Sequence, residues 1–297
     1  MTAGWVAGAV RAKAMARRVL GAGAARRVAA SQSLPEAQRM LQSTPFRDAA
    51  EAGLSLASAQ HAVAATILWD LRVLAGWLPR DGVSLLRLLA GWFEIANVDE
   101  LLQAQAGRQA GPEFQLGALA TAWPRLSETR SAAELRRALA ASAWGDPGGD
   151  TSRDTRLAMR ANWAARVAAS SERARTWATA AAVMLRSAEP SAPVGVATGG
   201  GAGGHGRLPT AARLPNLGHP RTSGAVAEPI AEPWRAEADW WHRVEGEGRV
   251  LLRSSALDSS PVLGAVAVMA ADARRVRAAL ASAARGGQAL EDYDAVV

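Results

Sequence analysis

The chain has 297 residues, a formal net charge of +7 and no cysteine, so disulfides and thiolate metal sites are excluded. Alanine, arginine and leucine dominate the composition, while tyrosine and phenylalanine are almost absent. This mixture favours helices and lacks the residues that strands prefer. We therefore expect an all-α fold, with enough residues to bury a substantial core.

The positive charge comes almost entirely from arginine, because Lys13 is the only lysine. Such a charge is typical of proteins that bind nucleic acids or membrane surfaces. The arginines, however, are spread along the predicted helices rather than gathered in one basic arm. We therefore keep an arginine-rich, helical nucleic-acid-binding protein as the alternative function, and we expect no nucleic-acid partner.

The first predicted element is one long helix over residues 5–29, followed by a shorter helix that begins at Ser33-Leu34-Pro35 and ends near Ser43. No secretory signal is expected, because the short apolar stretch at the N-terminus precedes the arginines and Arg11 interrupts it. No apolar run approaches the roughly 20 residues that span a bilayer.

An amphipathic helix comes next, and the turn residues of 79–82 are expected to end it. Its apolar positions recur at steps of three, four and seven, which places them on one face of a helix. They are Leu56, Val63, Ile67, Leu71, Leu74 and Leu78.

An apolar helix over residues 83–95 leads into the stretch GWFEIANVDELL, residues 91–102. Asn97 has the side chain of an N-cap, and Glu100 stands at the third position of a capping box. The sequence therefore predicts that one helix ends near Ile95 and that a second begins at Asn97. Gly107 is expected to end that second helix.

Further helices are predicted from a capping box at Ser131 and Glu134, over 154–169, over 172–187, from Pro233 and from Ser260-Pro261 to Gly286. Residues 190–231 are rich in glycine and proline and show no helical period, as in a linker; a degenerate spacer and a frameshifted stretch would both look like this. The predicted division is 1–110, 111–189, 190–231 and 232–297.

The sequence gives little support for a catalytic or cofactor-binding motif. The run GGGAGG at 199–204 satisfies a dinucleotide-binding pattern, but Pro209 and Pro215 forbid the helix that must follow it. The four histidines lack metal-ligand spacing. We therefore expect no catalytic, cofactor or metal site, and we expect that most of the eleven tryptophans pack in the core, the rest serving as interface anchors.

Two segments of the chain can be aligned with each other. LLRLLAGWFEIANVDELL, from Leu85, matches VLGAVAVMAADARRVRAAL, from Val262, when Glu94 is placed over Asp272. Each segment is an apolar helix followed by an acid, a polar residue and a valine, and glycine follows shortly after. The alignment indicates an internal repeat. Its junction residues are Glu94, Asn97 and Val98 in the first segment and Asp272 and Arg275 in the second, where Val276 aligns with Val98.

These motifs resemble the V/A-type rotary ATPase subunit called C in bacteria and archaea and d in eukaryotes. The likeness lies in WVAGAVRAKAMARRVL from Trp5, EIANVDELL from Glu94 and PVLGAVAVMAADARRVRAAL from Pro261, and it covers residues 5–187 and 232–297. The family pattern has tyrosine where this chain has Trp5 and Ala265, glutamate at Asp272 and asparagine at Arg275.

The resemblance implies repeated helical bundle domains that form a funnel-like socket. A subunit of this kind is non-catalytic and holds no cofactor. It links the central stalk to the proteolipid ring of a proton- or sodium-translocating ATPase, at the cytoplasmic face of the plasma membrane. The candidate partner contacts are Arg11, Arg17, Arg18, Trp240 and Trp241.

Overall fold

The computed structural model describes residues 3–149, 151–187, 233–287 and 290–297, and within them it contains twelve α-helices and no strand. The all-α prediction is therefore confirmed. The helices are α1 (Ala3–Ala16), α2 (Ala22–Ala29), α3 (Leu34–Met40), α4 (Leu56–Ala75), α5 (Arg80–Gln105), α6 (Trp123–Leu126), α7 (Ala132–Ala140), α8 (Ser152–Ser170), α9 (Glu172–Ser187), α10 (Pro233–Arg253), α11 (Ser259–Ala283) and α12 (Leu290–Val296). Short 3-10 turns occur at Arg47–Ala50 and Gly117–Leu119.

The prediction of one long helix over 5–29 is wrong. The chain leaves α1 after Ala16 and starts again as α2 at Ala22. Gly21, between the two helices, has φ of 81°, in the left-handed region that glycine adopts without steric cost. The backbone N–H groups of Leu20 and Gly21 bind the carboxylate of Asp272, so a tertiary contact fixes the break.

The prediction that Asn97 caps a new helix is also wrong, because α5 runs without interruption from Arg80 to Gln105. Asn97 lies in its interior, with 1% of its surface exposed. Its side-chain amide binds the backbone of Phe114 instead of its own helix. Glu100 accepts the N–H of Gly111. The residues of the apparent capping box are thus engaged by the loop that follows the helix.

Most of the other predicted boundaries agree with the structure. Ser131 caps α7 by accepting the N–H of Glu134, whose carboxylate accepts the N–H of Arg130. Gly107 has φ of 69° just after the end of α5. The turn predicted at 79–82 is shorter than expected, since Arg80 already belongs to α5, and α12 follows what was expected to be the last helix. The predicted linker 190–231 lies outside the described residues.

Helix α11 lies at the centre of the fold, because it packs against α1, α2, α4 and α10. Eighteen of its 25 residues are buried, far more than for a helix with one solvent face. One large apolar cluster joins α11 to the N-terminal helices and α5, and a smaller one joins it to α8, α9 and α10. The division into segments at 110, 189 and 231 remains a prediction, and the large cluster draws on three of those segments.

Candidate functional site

Glu94 is completely buried at the middle of α5 and accepts three hydrogen bonds. Two come from consecutive backbone N–H groups, those of Thr121 at 2.6 Å and Ala122 at 2.8 Å. The third comes from the indole Nε1 of Trp144 at 2.7 Å. All three of these groups are donors, which matches the acceptor oxygens of a carboxylate.

Asp272 has a similar buried environment in α11, with 1% of its surface exposed. It accepts the consecutive backbone N–H groups of Leu20 at 2.7 Å and Gly21 at 2.8 Å. Burial raises the pKa of Asp272, and these two backbone hydrogen bonds oppose the rise because they favour the charged form.

In both places the two bound N–H groups immediately precede a helix: α6 begins at Trp123 and α2 at Ala22. Neither Ala122 nor Gly21, the N-cap residues, makes a side-chain cap. A carboxylate from a distant helix therefore supplies the acceptor that the local sequence lacks, at the positive end of the helix dipole. We call each arrangement a carboxylate clamp, the first formed by Glu94 and the second by Asp272.

The likeness extends to the segments that follow each clamp. Ser33 and Glu36 cap α3 as Ser131 and Glu134 cap α7. Each of these hydrogen-bonded positions in the segment after the second clamp corresponds to the position 98 residues later in the segment after the first clamp.

The end of each capped helix also repeats. The Thr44 hydroxyl donates to the carbonyl of Leu41 and accepts the N–H of Phe46, and Ser142 makes the corresponding bonds to Leu139 and Trp144. These shared hydrogen bonds support the internal repeat more strongly than the sequence alignment does.

An aromatic residue lies near each clamp. Trp144 binds Glu94 through its indole nitrogen, with the guanidinium of Arg166 5.8 Å from the centre of its ring. The side chain of Phe46 has no N–H group, and it lines a small cavity of about 10 Å³ together with Asp272. The first clamp therefore has three donors where the second has two.

The remaining junction residues are buried in both clamps, and only the pair Asn97 and Arg275 differs in charge. Val98 and Val276 are both fully buried. Asn97 holds the loop at Phe114 through two hydrogen bonds of 2.7 and 2.9 Å. Arg275, its aligned counterpart, forms an ion pair with Glu245 of α10. Asn97 therefore connects α5 to a loop, whereas Arg275 connects α11 to the neighbouring helix α10.

The candidate partner contacts lie in two separate regions. Arg17 and Arg18 are exposed just after α1, and Arg18 lies 3.6 Å from Asp70. Arg11 is half-buried in α1, with its guanidinium 5.9 Å from the ring centre of Trp77.

Trp240 and Trp241 lie inside α10, half-buried and in edge-to-face contact at 4.9 Å between ring centres. Of the eleven tryptophans, three are buried, five half-buried and three exposed. Seven of the eleven belong to the two apolar clusters or pack directly against them.

The sequence did not point to Trp144, Thr121 or Ala122, because nothing local marks a backbone N–H that a distant carboxylate will bind. The pairing of Ser33 and Glu36 with Ser131 and Glu134 was available as a signal, since both follow the capping-box pattern.

Searches with the chain found no matching family model and no matching curated protein. The described residues contain no group of three or more side chains able to hold a metal ion. None of their helices is both long and apolar enough to cross a bilayer.

Proposed function

We propose that the protein is a non-catalytic rotor subunit of a V/A-type rotary ATPase, which links the central stalk to the proteolipid ring at the cytoplasmic face of the plasma membrane. The observation that carries the proposal is the pair of carboxylate clamps. Two of the three motifs that resemble the rotary ATPase subunit contain Glu94 and Asp272, and these residues have equivalent places in the helical architecture.

Such a subunit must transmit torque without deforming, and the clamps supply this property. Each clamp joins the middle of a long helix to the start of a helix elsewhere in the chain, through a charged acceptor in a buried setting. Hydrogen bonds to charged groups are worth about 1.5–3 kcal/mol, roughly twice the neutral value. The ion pair between Arg275 and Glu245 adds a third buried connection, between α10 and α11.

The proposal is tested by co-expressing the chain with the central-stalk and proteolipid subunits of a rotary ATPase and measuring co-purification. The Arg17→Glu variant should weaken retention, because it reverses an exposed charge at a candidate contact. Arg108→Glu, which reverses another exposed charge just after α5, serves as the matched control.

In the reconstituted complex, omission of the chain should stop ion pumping while ATP hydrolysis by the soluble head continues. Binding to DNA in place of both rotary partners, with an affinity that falls steeply as salt rises, would overturn the proposal in favour of a nucleic-acid-binding function.

A further inference from the structure

A cavity of about 210 Å³ lies between α4, α5, α8, α9, α10 and α11. Aliphatic residues and five tryptophans form most of its wall. The tryptophans are Trp92, Trp163, Trp177, Trp240 and Trp241. An apolar cavity of ~150 Å³ is large enough to hold benzene, so this one can hold a ring with a short chain attached.

Three of these tryptophans have satisfied indole N–H groups. Trp163 donates to the carbonyl of Leu88 at 2.7 Å, Trp240 donates to the carbonyl of Trp177 at 2.9 Å, and Trp177 donates to Glu247. The Nε1 of Trp241 is buried and has no acceptor among the described residues. A buried donor without an acceptor costs about 1–3 kcal/mol, so the position is unusual.

Two arginines of α11 also line the cavity. Arg274 lies 3.6 Å from Glu237 and 5.6 Å from the ring centre of Trp241. Arg277 has a buried Nε without an acceptor, and no carboxylate of the described residues lies within ion-pairing distance of it. None of the described lining residues carries a carboxylate. The polar side chains among the described lining residues are therefore donors and cations.

We propose that this cavity binds a small lipophilic carboxylate, whose apolar body packs among the tryptophans while its carboxylate accepts from Trp241 and Arg277. A carboxylate offers two acceptor oxygens and a negative charge, which match the indole N–H of Trp241 and the guanidinium of Arg277. An amine would meet like charge, and an alcohol would lack the charge that Arg277 requires. The inference does not depend on the rotary function.

The test uses three ligands of one shape: 3-phenylpropionate, 3-phenyl-1-propanol and 3-phenylpropylamine. Binding to the full chain is followed by isothermal titration calorimetry and by tryptophan fluorescence, because the ligand would contact the indole rings. We expect the carboxylate to bind about tenfold more tightly than the alcohol, the equivalent of one charge-assisted hydrogen bond. The amine should not bind.

Two variants separate the contributions of the donors. Trp241→Phe keeps a smaller aromatic ring and removes the N–H group, so it should fold normally and weaken carboxylate binding about fivefold, with the alcohol affected less. Arg277→Met keeps the apolar stem, removes the charge and should abolish the preference for the carboxylate. Arg108→Met removes an exposed charge elsewhere and should leave binding unchanged.

Equal affinity for acid and alcohol, absence of saturable carboxylate binding, or unchanged binding in Trp241→Phe would each overturn the proposal. If Arg277→Met fails to fold by circular dichroism, the ligand series and Trp241→Phe still decide the question.

Discussion

Replacing Glu94 by glutamine tests whether the first clamp stabilises the fold as its geometry indicates. The carboxylate accepts hydrogen bonds at both oxygens, from Thr121 at one and from Ala122 and Trp144 at the other. An amide has one acceptor atom, so at most the latter two bonds survive and the NH₂ group then faces the N–H of Thr121. The loss of one charge-assisted bond and the unsatisfied buried donor cost about 2–3 kcal/mol.

The two surviving hydrogen bonds would join neutral groups, which adds about 1 kcal/mol to the destabilisation. The variant no longer buries a charge, and this offsets part of the total destabilisation. We expect Glu94→Gln to lower the free energy of unfolding by about 3 kcal/mol, measured by urea denaturation with far-ultraviolet circular dichroism. Glu100→Gln is the matched control, because Glu100 accepts a single N–H at the surface. It should cost less than about 1 kcal/mol.

A double-mutant cycle with Trp144→Phe isolates the indole contribution, and it introduces the residue type that Phe46 provides in the other half of the repeat. The coupling between positions 94 and 144 should be about 1 kcal/mol. If Glu94→Gln were no more destabilising than the Glu100 control, or if the coupling were zero, the account of the clamp would be refuted.

Three further predictions concern other parts of the fold. Asn97→Ala removes both hydrogen bonds to the backbone of Phe114 and should lower the free energy of unfolding by about 2–3 kcal/mol, more than the roughly 1 kcal/mol of a lost helix cap. Gly287→Ala should destabilise more than Gly53→Ala in a thermal melt, because both glycines have positive φ but only at position 287 would the new Cβ lie 2.9 Å from two carbonyl oxygens. Burial raises the pKa of Asp99 to about 6 against the influence of two arginines, so the folded state binds a proton that the unfolded state has released. This stabilisation is present below the unfolded pKa and is lost as the pH rises through the folded pKa. Relative to Asp99→Asn, the protein should therefore lose up to about 3 kcal/mol between about pH 4 and pH 7, measured as unfolding free energies across that range. A flat difference would contradict the pKa assignment.

The sequence by itself determined the helical class and the elements whose signals are local. The stripe of α4 is buried at Val63, Ile67, Leu71 and Leu74 because a helix places residues three and four apart on one face. The cap at Ser131 and Glu134 formed where expected, since its donors and acceptors lie within one turn of each other. The alignment of Glu94 with Asp272 was likewise available from the order of residue types.

Only the tertiary structure decided which groups those two acids bind. Glu94 receives N–H groups from residues 27 and 28 positions later, and Asp272 receives them from residues about 250 positions earlier. The prediction that Asn97 caps a helix was wrong for the same reason. An asparagine followed three residues later by glutamate is suited to a cap, but an amide at that position serves a neighbouring loop equally well. The sequence shows that a short polar side chain can form hydrogen bonds, but it does not show with which partner. The packing of distant helices determines which backbone groups come within reach of that side chain.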